Sequence, residues 1–362
     1  MRIAICSDYF YPKIGGITTH IEQLAKCMEK RGHEVIIVTK KADYDDEVHG
    51  LNVVRINSIF RTSKTIDIPN TKELKNALES VKPDIIHAHH AFSPISLLAL
   101  SIGKKMGIKT VLTNHSIQFL YDFDYLWRPS SYILFPYREY IKNADKIIAV
   151  SNAAAEFISH FTDKKIHIIP NGIDIANFSV KRKVFDGKSV LFVGRFVYRK
   201  GIHILLEAMS HVLKKQDAKL TLVGSGYLKH IIKLFVRAFN LGKNVKIMEN
   251  IPKEELIKIY RKAHVFVMPS IYGESFGIVL LEAMATKTPI VAYNQGGIGE
   301  IIESGVTGIL VKKESVEEMA KNILLLLNNK DLARKIASNA FKAVKRYDWN
   351  VIAEEIENVY EG

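Results

Sequence analysis

Little in this chain of 362 residues invites thiol chemistry. It holds two cysteines, Cys6 and Cys27, one in a segment that reads as a buried strand and one in a helix. No Cys-x-x-Cys occurs, which argues against a thiolate zinc centre, and two reduced core thiols fit a cytoplasmic protein. No apolar run reaches the roughly 18–20 residues needed to cross a bilayer. The opening MRIAICSDYF meets an aspartate where a secretion signal would stay apolar. A full Gly-x-Gly-x-x-Gly is also missing. The Gly-Ser-Gly at 224–226 lacks the third glycine, which disfavours a dinucleotide-dependent dehydrogenase. Glutamine is scarce, at four residues. With abundant Lys, Glu and Ile, that scarcity points to a hot habitat.

Basic residues are in excess: 51 Lys+Arg against 38 Asp+Glu, a net charge of +13. Residues 1–174 carry 22 against 19, or +3, and residues 175–362 carry 29 against 19, or +10. The second half therefore suits anionic partners, whether a phosphorylated ligand, nucleic acid or an acidic membrane surface. Lysines such as Lys229, Lys233 and Lys258 also fit solvated helix faces. The 48% hydrophobic and 25% charged content is that of a soluble globular protein.

The length suggests two domains, and the pattern starts twice. RIAICS reads as a buried parallel strand. In THIEQLAKCMEKRGH the residues Ile21, Leu24, Ala25 and Met28 share one helical face. EVIIVT, DIIHAH, KTVLTN and KIIAVS follow as strands, each preceded by helix-like sequence. SVLFVGR at 189–195 restarts the series, with KLTLVGSG, VKIME, HVFVMPS and PIVAYN as later strands. Two doubly wound α/β domains result. The turn residues Pro170, Asn171 and Gly172 put the hinge near 170–185, so the second domain spans 175–345. RYDWNVIAEEIENVYEG follows one long helix and reads as a separate terminal helix.

Ligands of such sheets bind beyond the strands' carboxyl ends, in a cleft between the two domains, so the loops after strands matter most. VGRFVYRKG puts Arg195 and Lys200 between a strand and a helix, flanked by Gly194 and Gly201. Two cations and free N–H groups there make an anion site, and the glycines let a ligand approach the backbone. In GESFGIVLLE the N–H groups of Ser275, Phe276, Gly277 and Ile278 open a helix and lack partners within it. Glu274 and Glu282 lie on the order of 10 Å apart on that helix. That separation suits a ligand with hydroxyls at both ends and phosphates between, a sugar at Glu274 and a ribose at Glu282. The plainer alternative is one surface glutamate and one core glutamate paired to a lysine. NQGGIGE at 294–300 is a further glycine turn after a strand. Gly15 and Gly16 precede the first helix, where the backbone could touch a diphosphate or a sugar. His115 ends the strand KTVLTN.

The HAHH run at 87–90 puts His87 and His89 on one side of a strand, but nothing is spaced to complete a metal site. Asp-Phe-Asp at 122–124 resembles the metal-binding Asp-x-Asp of some sugar transferases, but it follows no clear strand. The reading is therefore metal-independent. The aromatic-rich stretch 117–140 reads either as ordinary packing or as an acceptor lip or interfacial membrane contact.

Taken together, FYPKIGGITTHIEQL, TNHS, PNGID, GRFVYRKG, ESFGIVLLE and GGIGE resemble the retaining glycosyltransferases of family 4, which have the GT-B fold of two Rossmann-like domains. The motifs run over nearly the whole chain. SDYFYPKIGGITTHIEQLAKCMEKRGHEVIIVT and MGIKTVLTNHS look most like the catalytic subunits that begin glycosylphosphatidylinositol anchors by moving GlcNAc from UDP-GlcNAc to phosphatidylinositol. The resemblance implies a UDP-sugar donor and a hydroxyl acceptor, soluble or lipid. It implies that Arg195 and Lys200 neutralise the diphosphate, Glu274 holds the sugar and Glu282 the ribose. The Gly15–Gly16 loop and the N–H groups at 276–278 would line the diphosphate, and His115 would touch the transferring sugar. It further implies that a C-terminal helix, from about residue 346 to 362, crosses back to the first domain, 1–174. No separate cofactor is expected. The setting expected is cytoplasmic, with peripheral contact at the membrane's inner face. UDP-GlcNAc 2-epimerases share the fold, and a non-catalytic sugar-nucleotide clamp or a basic nucleic-acid binder are further alternatives. The joint presence of the Arg-x4-Lys and Glu-x7-Glu motifs favours a transferase, and no nucleic-acid recognition motif is present.

Overall fold

The computed structural model of the protein describes residues 1–12, 15–42, 50–62, 66–117, 135–179 and 184–362. The Asp-Phe-Asp at 122–124 and most of the aromatic stretch lie outside them. Two compact units are present, Met1–Gly172 with Trp349–Gly362, and Ile173–Asp348.

In the first unit the described strands are β1 (Arg2–Ser7), β2 (Glu34–Lys40), β3 (Asn52–Ile56), β4 (Ser58–Thr62), β5 (Ile66–Pro69), β6 (Ile85–His89), β7 (Lys109–Asn114), β8 (Lys146–Ala149) and β9 (Ile166–Ile168). Among the described residues, seven form a sheet in the order β3-β2-β1-β6-β7-β8-β9, and β4 pairs with β5. All pairings in the larger sheet are parallel. Parallel neighbours need crossovers, which Gly16–Lys30, Thr71–Val81, Pro94–Met106 and Asn152–Ser159 provide. Helices on both faces bury the strands on both faces, so Ile3, Ala4, Ile5 and Cys6 are all fully buried. Ile21, Leu24, Ala25 and Met28 are also fully buried, as their spacing predicts. Asn70 starts the helix Thr71–Val81 by accepting from the N–H groups of Lys72 and Glu73, both at 3.1 Å.

The second unit contains β10 (Ser189–Val193), β11 (Lys219–Val223), β12 (Val245–Met248), β13 (Val265–Met268), β14 (Ile290–Tyr293) and β15 (Ile309–Val311). They form a parallel sheet in the order β12-β11-β10-β13-β14-β15. Both larger sheets are thus doubly wound, as expected. Both also contain strands that the apolar runs did not announce: β3, β9 and β15 lie at sheet edges. The single long helix expected before the terminal one is two, Val316–Asn328 and Lys330–Ala343. Asn329 divides them, its side chain accepting from Leu332 N–H at 3.0 Å.

The terminal helix Trp349–Glu361 belongs to the first unit. Trp349, Ile352, Ile356 and Tyr360 join the core of Ile3, Ile21 and Leu24. Lys109 Nζ donates to Tyr360 O at 2.7 Å, and Glu357 pairs with Arg31 and His33. No described helix is long and apolar enough to cross a membrane.

Candidate active site

Strand order reverses between β1 and β6 in one sheet and between β10 and β13 in the other. Crevices at the carboxyl ends of such reversal points are where ligands of doubly wound sheets bind. In the second unit the two loops concerned are 194–201, after β10, and 269–277, after β13. They carry Arg195, Lys200 and Glu274.

The structure joins Lys200 and Glu274 in an ion pair, with side chains 12% and 11% exposed. Ser270 Oγ adds a hydrogen bond to Glu274 Oε2 at 3.3 Å. Burial alone would raise the Glu274 pKa. Lys200 and Arg199 beside it, with the Ser270 hydroxyl, bring it below the usual carboxylate range. Burial also lowers the Lys200 pKa, with Glu274 pulling it back. Arg199, which the sequence motifs did not single out, is buried and donates to Gly273 O at 2.8 Å. Its own carbonyl accepts from Ile271 N–H at 2.7 Å, which ties the two loops together. Arg195 is exposed, and its side chain makes no hydrogen bond or ion pair with another described residue.

Gly201 is glycine for a reason other than ligand approach. Its φ is 65°, and a Cβ there would stand 2.0 Å from Pro269 O. The residue allows the two loops to touch. The Gly-Ser-Gly at 224–226 packs on the same turn, with Phe196 N–H donating to Ser225 O at 2.7 Å.

The helix Ile278–Ala285 begins at Gly277 without a side-chain cap. Among the described residues, the N–H groups of Ser275, Phe276, Gly277 and Ile278 have no protein acceptor. Gly297 N–H holds the loop from behind through Glu274 O at 2.9 Å. Glu282 lies in this helix but outside the ion pair. The residue keeps some exposure, yet its Oε2 is buried and has no partner among the described residues. Burial raises its pKa to about 7, with the Tyr260 hydroxyl and Lys253 pulling the other way. The plainer alternative holds only in part: Glu274 is a buried glutamate paired to a lysine, but Glu282 is half-buried rather than a surface residue and has no lysine in a salt bridge.

In the first unit, Gly15 caps the helix Gly16–Lys30 without a side-chain hydrogen bond. His115, just after β7, is buried, and its Nε2 lies 3.1 Å from His89 Nδ1, at the end of β6. His20, from the first helix, packs edge-on to His115 with ring centroids 4.8 Å apart, and to Trp349 at 5.1 Å. His87 is a satisfied core residue, bonded to Tyr360 OH at 2.6 Å and Thr113 Oγ1 at 2.7 Å. Burial keeps all four imidazoles neutral, lowering the pKa of His20 to about 4 and of His87 to about 3. Both ring nitrogens of His20, Nε2 of His89 and Oδ1 of Asn171 lack hydrogen-bond partners among the described residues. Each such buried group costs about 1–3 kcal/mol until something satisfies it. The His87–His89 pair considered from spacing is not the set a metal could use. Among the described residues, only His20, His89 and His115 gather, with one nitrogen from each within 4.8 Å of the others and no acidic residue in the group. These neutral nitrogens can equally bond sugar hydroxyls. Strand spacing hid His20, which comes from a helix near the other end of the motif.

Residues 14–177 match glycosyltransferase family 4, and residues 175–343 match glycosyl transferases group 1. The Mycobacterium tuberculosis phosphatidyl-myo-inositol mannosyltransferase is 30% identical over 100% of this chain and 97% of its own. A subunit of the Arabidopsis thaliana phosphatidylinositol N-acetylglucosaminyltransferase is 25% identical over 100% of this chain and 82% of its own. The Anabaena protein HepE, solved with UDP and glucose, superposes with a TM-score of 0.80 at 20% identity, over 100% of this chain and 99% of that one. Fold and relatives define a GT-B glycosyltransferase, an enzyme with two Rossmann-like units. The chain belongs to glycosyltransferase family 4.

Proposed function

We propose that this enzyme is a retaining transferase of a hexose or N-acetylhexosamine. In this reading the donor is a UDP-sugar, UDP-GlcNAc or UDP-glucose, and the acceptor is a hydroxyl of a phosphoinositol-type lipid or inositol phosphate. The observation that carries the donor reading is the Lys200–Glu274 pair at the β10/β13 reversal, beside the unpaired N–H groups at 275–278 and the unpaired Arg195. Relatives named for mannose and for N-acetylglucosamine leave the sugar open, but both names point to phosphatidylinositol, which supports the acceptor.

As the anomeric C–O bond breaks, negative charge grows on the departing diphosphate. Arg195, Lys200 and the N–H groups at 276–278 stabilise it without a metal ion, with the backbone at Gly194 alongside. Fixed dipoles and charges of this kind supply much of an enzyme's rate. Glu274, kept ionised by Lys200, accepts from donor-sugar hydroxyls. Glu282 Oε2 accepts from the ribose. In the first unit, Gly15 and Gly16 offer backbone to a phosphate, and His115, its Nε2 3.1 Å from His89 Nδ1, offers a neutral imidazole to a sugar hydroxyl. The acceptor attacks from the face the diphosphate leaves, and the leaving phosphate takes the acceptor's proton, which retains configuration.

Arg195→Ala is the cleaner test, since removing Lys200 would strand a buried carboxylate at a cost of about 3–5 kcal/mol. UDP release from a donor panel, with phosphatidylinositol or inositol phosphate as acceptor, should fall about 100-fold or more in Arg195→Ala. Unchanged thermal unfolding would verify its fold. Near wild-type turnover would remove Arg195 from the diphosphate site, and release from GDP-sugars alone would remove the UDP assignment.

A further inference from the structure

The helix Lys229–Ala238 leaves most of its surface uncovered. Ile232 is its one buried residue. Ile231 and Leu234, three apart and so on one face, are 45% and 60% exposed. Tyr227, in the turn before the helix, is 60% exposed, and its hydroxyl accepts from the N–H of Tyr198, itself 54% exposed. Single exposed apolar residues are ordinary, but a contiguous strip is not. Beside that strip His230, Lys233 and Arg237 are exposed, at the helical spacing of three and four. No acidic residue occurs between Asp217 and Glu249, a stretch with six Lys and Arg. Lys229 pairs with Glu249, whereas Lys233 and Arg237 form no ion pair with a described residue.

We propose that this face docks on an anionic lipid bilayer, with Tyr227, Ile231 and Leu234 entering the headgroup region and Lys233 and Arg237 meeting lipid phosphates. An apolar strip edged by cations on a short helix is the architecture of interfacial helices. A second copy of the chain fits poorly, because a two-fold contact would set one cationic edge against another. Nucleic acid would meet the cations but leave the aliphatic strip unmatched. The patch begins at Tyr198, two residues before Lys200, so the bilayer would lie beside the turn assigned to the donor diphosphate. Bilayer binding is read without turnover and is therefore independent of that assignment.

The test is flotation of the full chain with phosphatidylcholine vesicles, pure or with about a third phosphatidylglycerol. The protein should float with the anionic vesicles and stay down with the neutral ones. Ile231→Ser with Leu234→Ser, and separately Lys233→Glu with Arg237→Glu, should each reduce binding by about tenfold or more. UDP affinity by calorimetry should hold in both variants, which verifies their fold. No binding to anionic vesicles overturns the proposal. So does undiminished binding by both double variants, which would move the contact to another surface. If sedimentation shows a dimer in the parent that the serine variant turns into a monomer, the face joins two copies instead.

Discussion

Glu274 and Glu282 come from one short motif and reach opposite states. Glu274 stays charged because Lys200 and Arg199 face it. Glu282 has only the Tyr260 hydroxyl and the Lys253 charge against its burial, and its pKa rises to about 7 from the usual 4.5. The folded protein therefore holds a proton that the unfolded chain has released between those values. The stability this contributes is complete below pH 4.5 and is lost as the pH rises through about 7. Glu282→Gln should accordingly melt higher than the parent at about pH 8 and match it near pH 4 in scanning calorimetry. The same variant should bind UDP more weakly. On the proposed ribose role, parent affinity for UDP should increase as the pH rises through about 7, because a carboxylate, not a carboxylic acid, can accept from two hydroxyls. The spacing of the two glutamates was readable in the sequence. Their ionisation was not, because Tyr260 and Arg199 arrive from other loops and helices.

Among the elements, those with long apolar runs were legible: β1, β2, β6, β7 and β8, and the core strands of the second sheet. Of the edge strands of the two larger sheets, β12 was legible as VKIME, but β3, β9 and β15 were not. NVVRI at β3 mixes polar with apolar residues, and β9 and β15 are three residues each, too short for any period to show. The terminal helix was legible as a helix, and the family resemblance placed it on the first unit, but the residues of the surface it packs against were not legible. That surface includes Gly172, where a Cβ would stand 2.5–2.9 Å from three atoms of the Trp349 ring. A rigid indole gives way poorly, so Gly172→Ala should destabilise the first unit by about 1–3 kcal/mol, the usual cost of overpacking. Thermal unfolding would measure it, and an unchanged midpoint would mean the ring can shift without loss. The histidine cluster was half legible. HAHH stood out in the sequence, but its partners His20 and His115 come from a helix and a neighbouring strand, and only the fold gathers them.

On the scale of the whole molecule, the restart of the strand–helix pattern at residue 189 revealed two α/β units. The chain leaves the first unit after Gly172 and returns at Trp349. The fourteen residues from Trp349 to Gly362 are thus part of the first unit's interior, not an appendage. A chain ending at Asp348 would expose the surface that Ile352, Ile356 and Tyr360 cover, and should give an insoluble or molten first unit by near-UV circular dichroism and light scattering. A native-like spectrum would show that the sheet holds together without that helix.

The close approach of Gly172 to Trp349 means that both ends of the intervening segment emerge from the first unit side by side. The second unit is therefore topologically an insert, which a short glycine–serine bridge could replace while leaving a free-standing first unit.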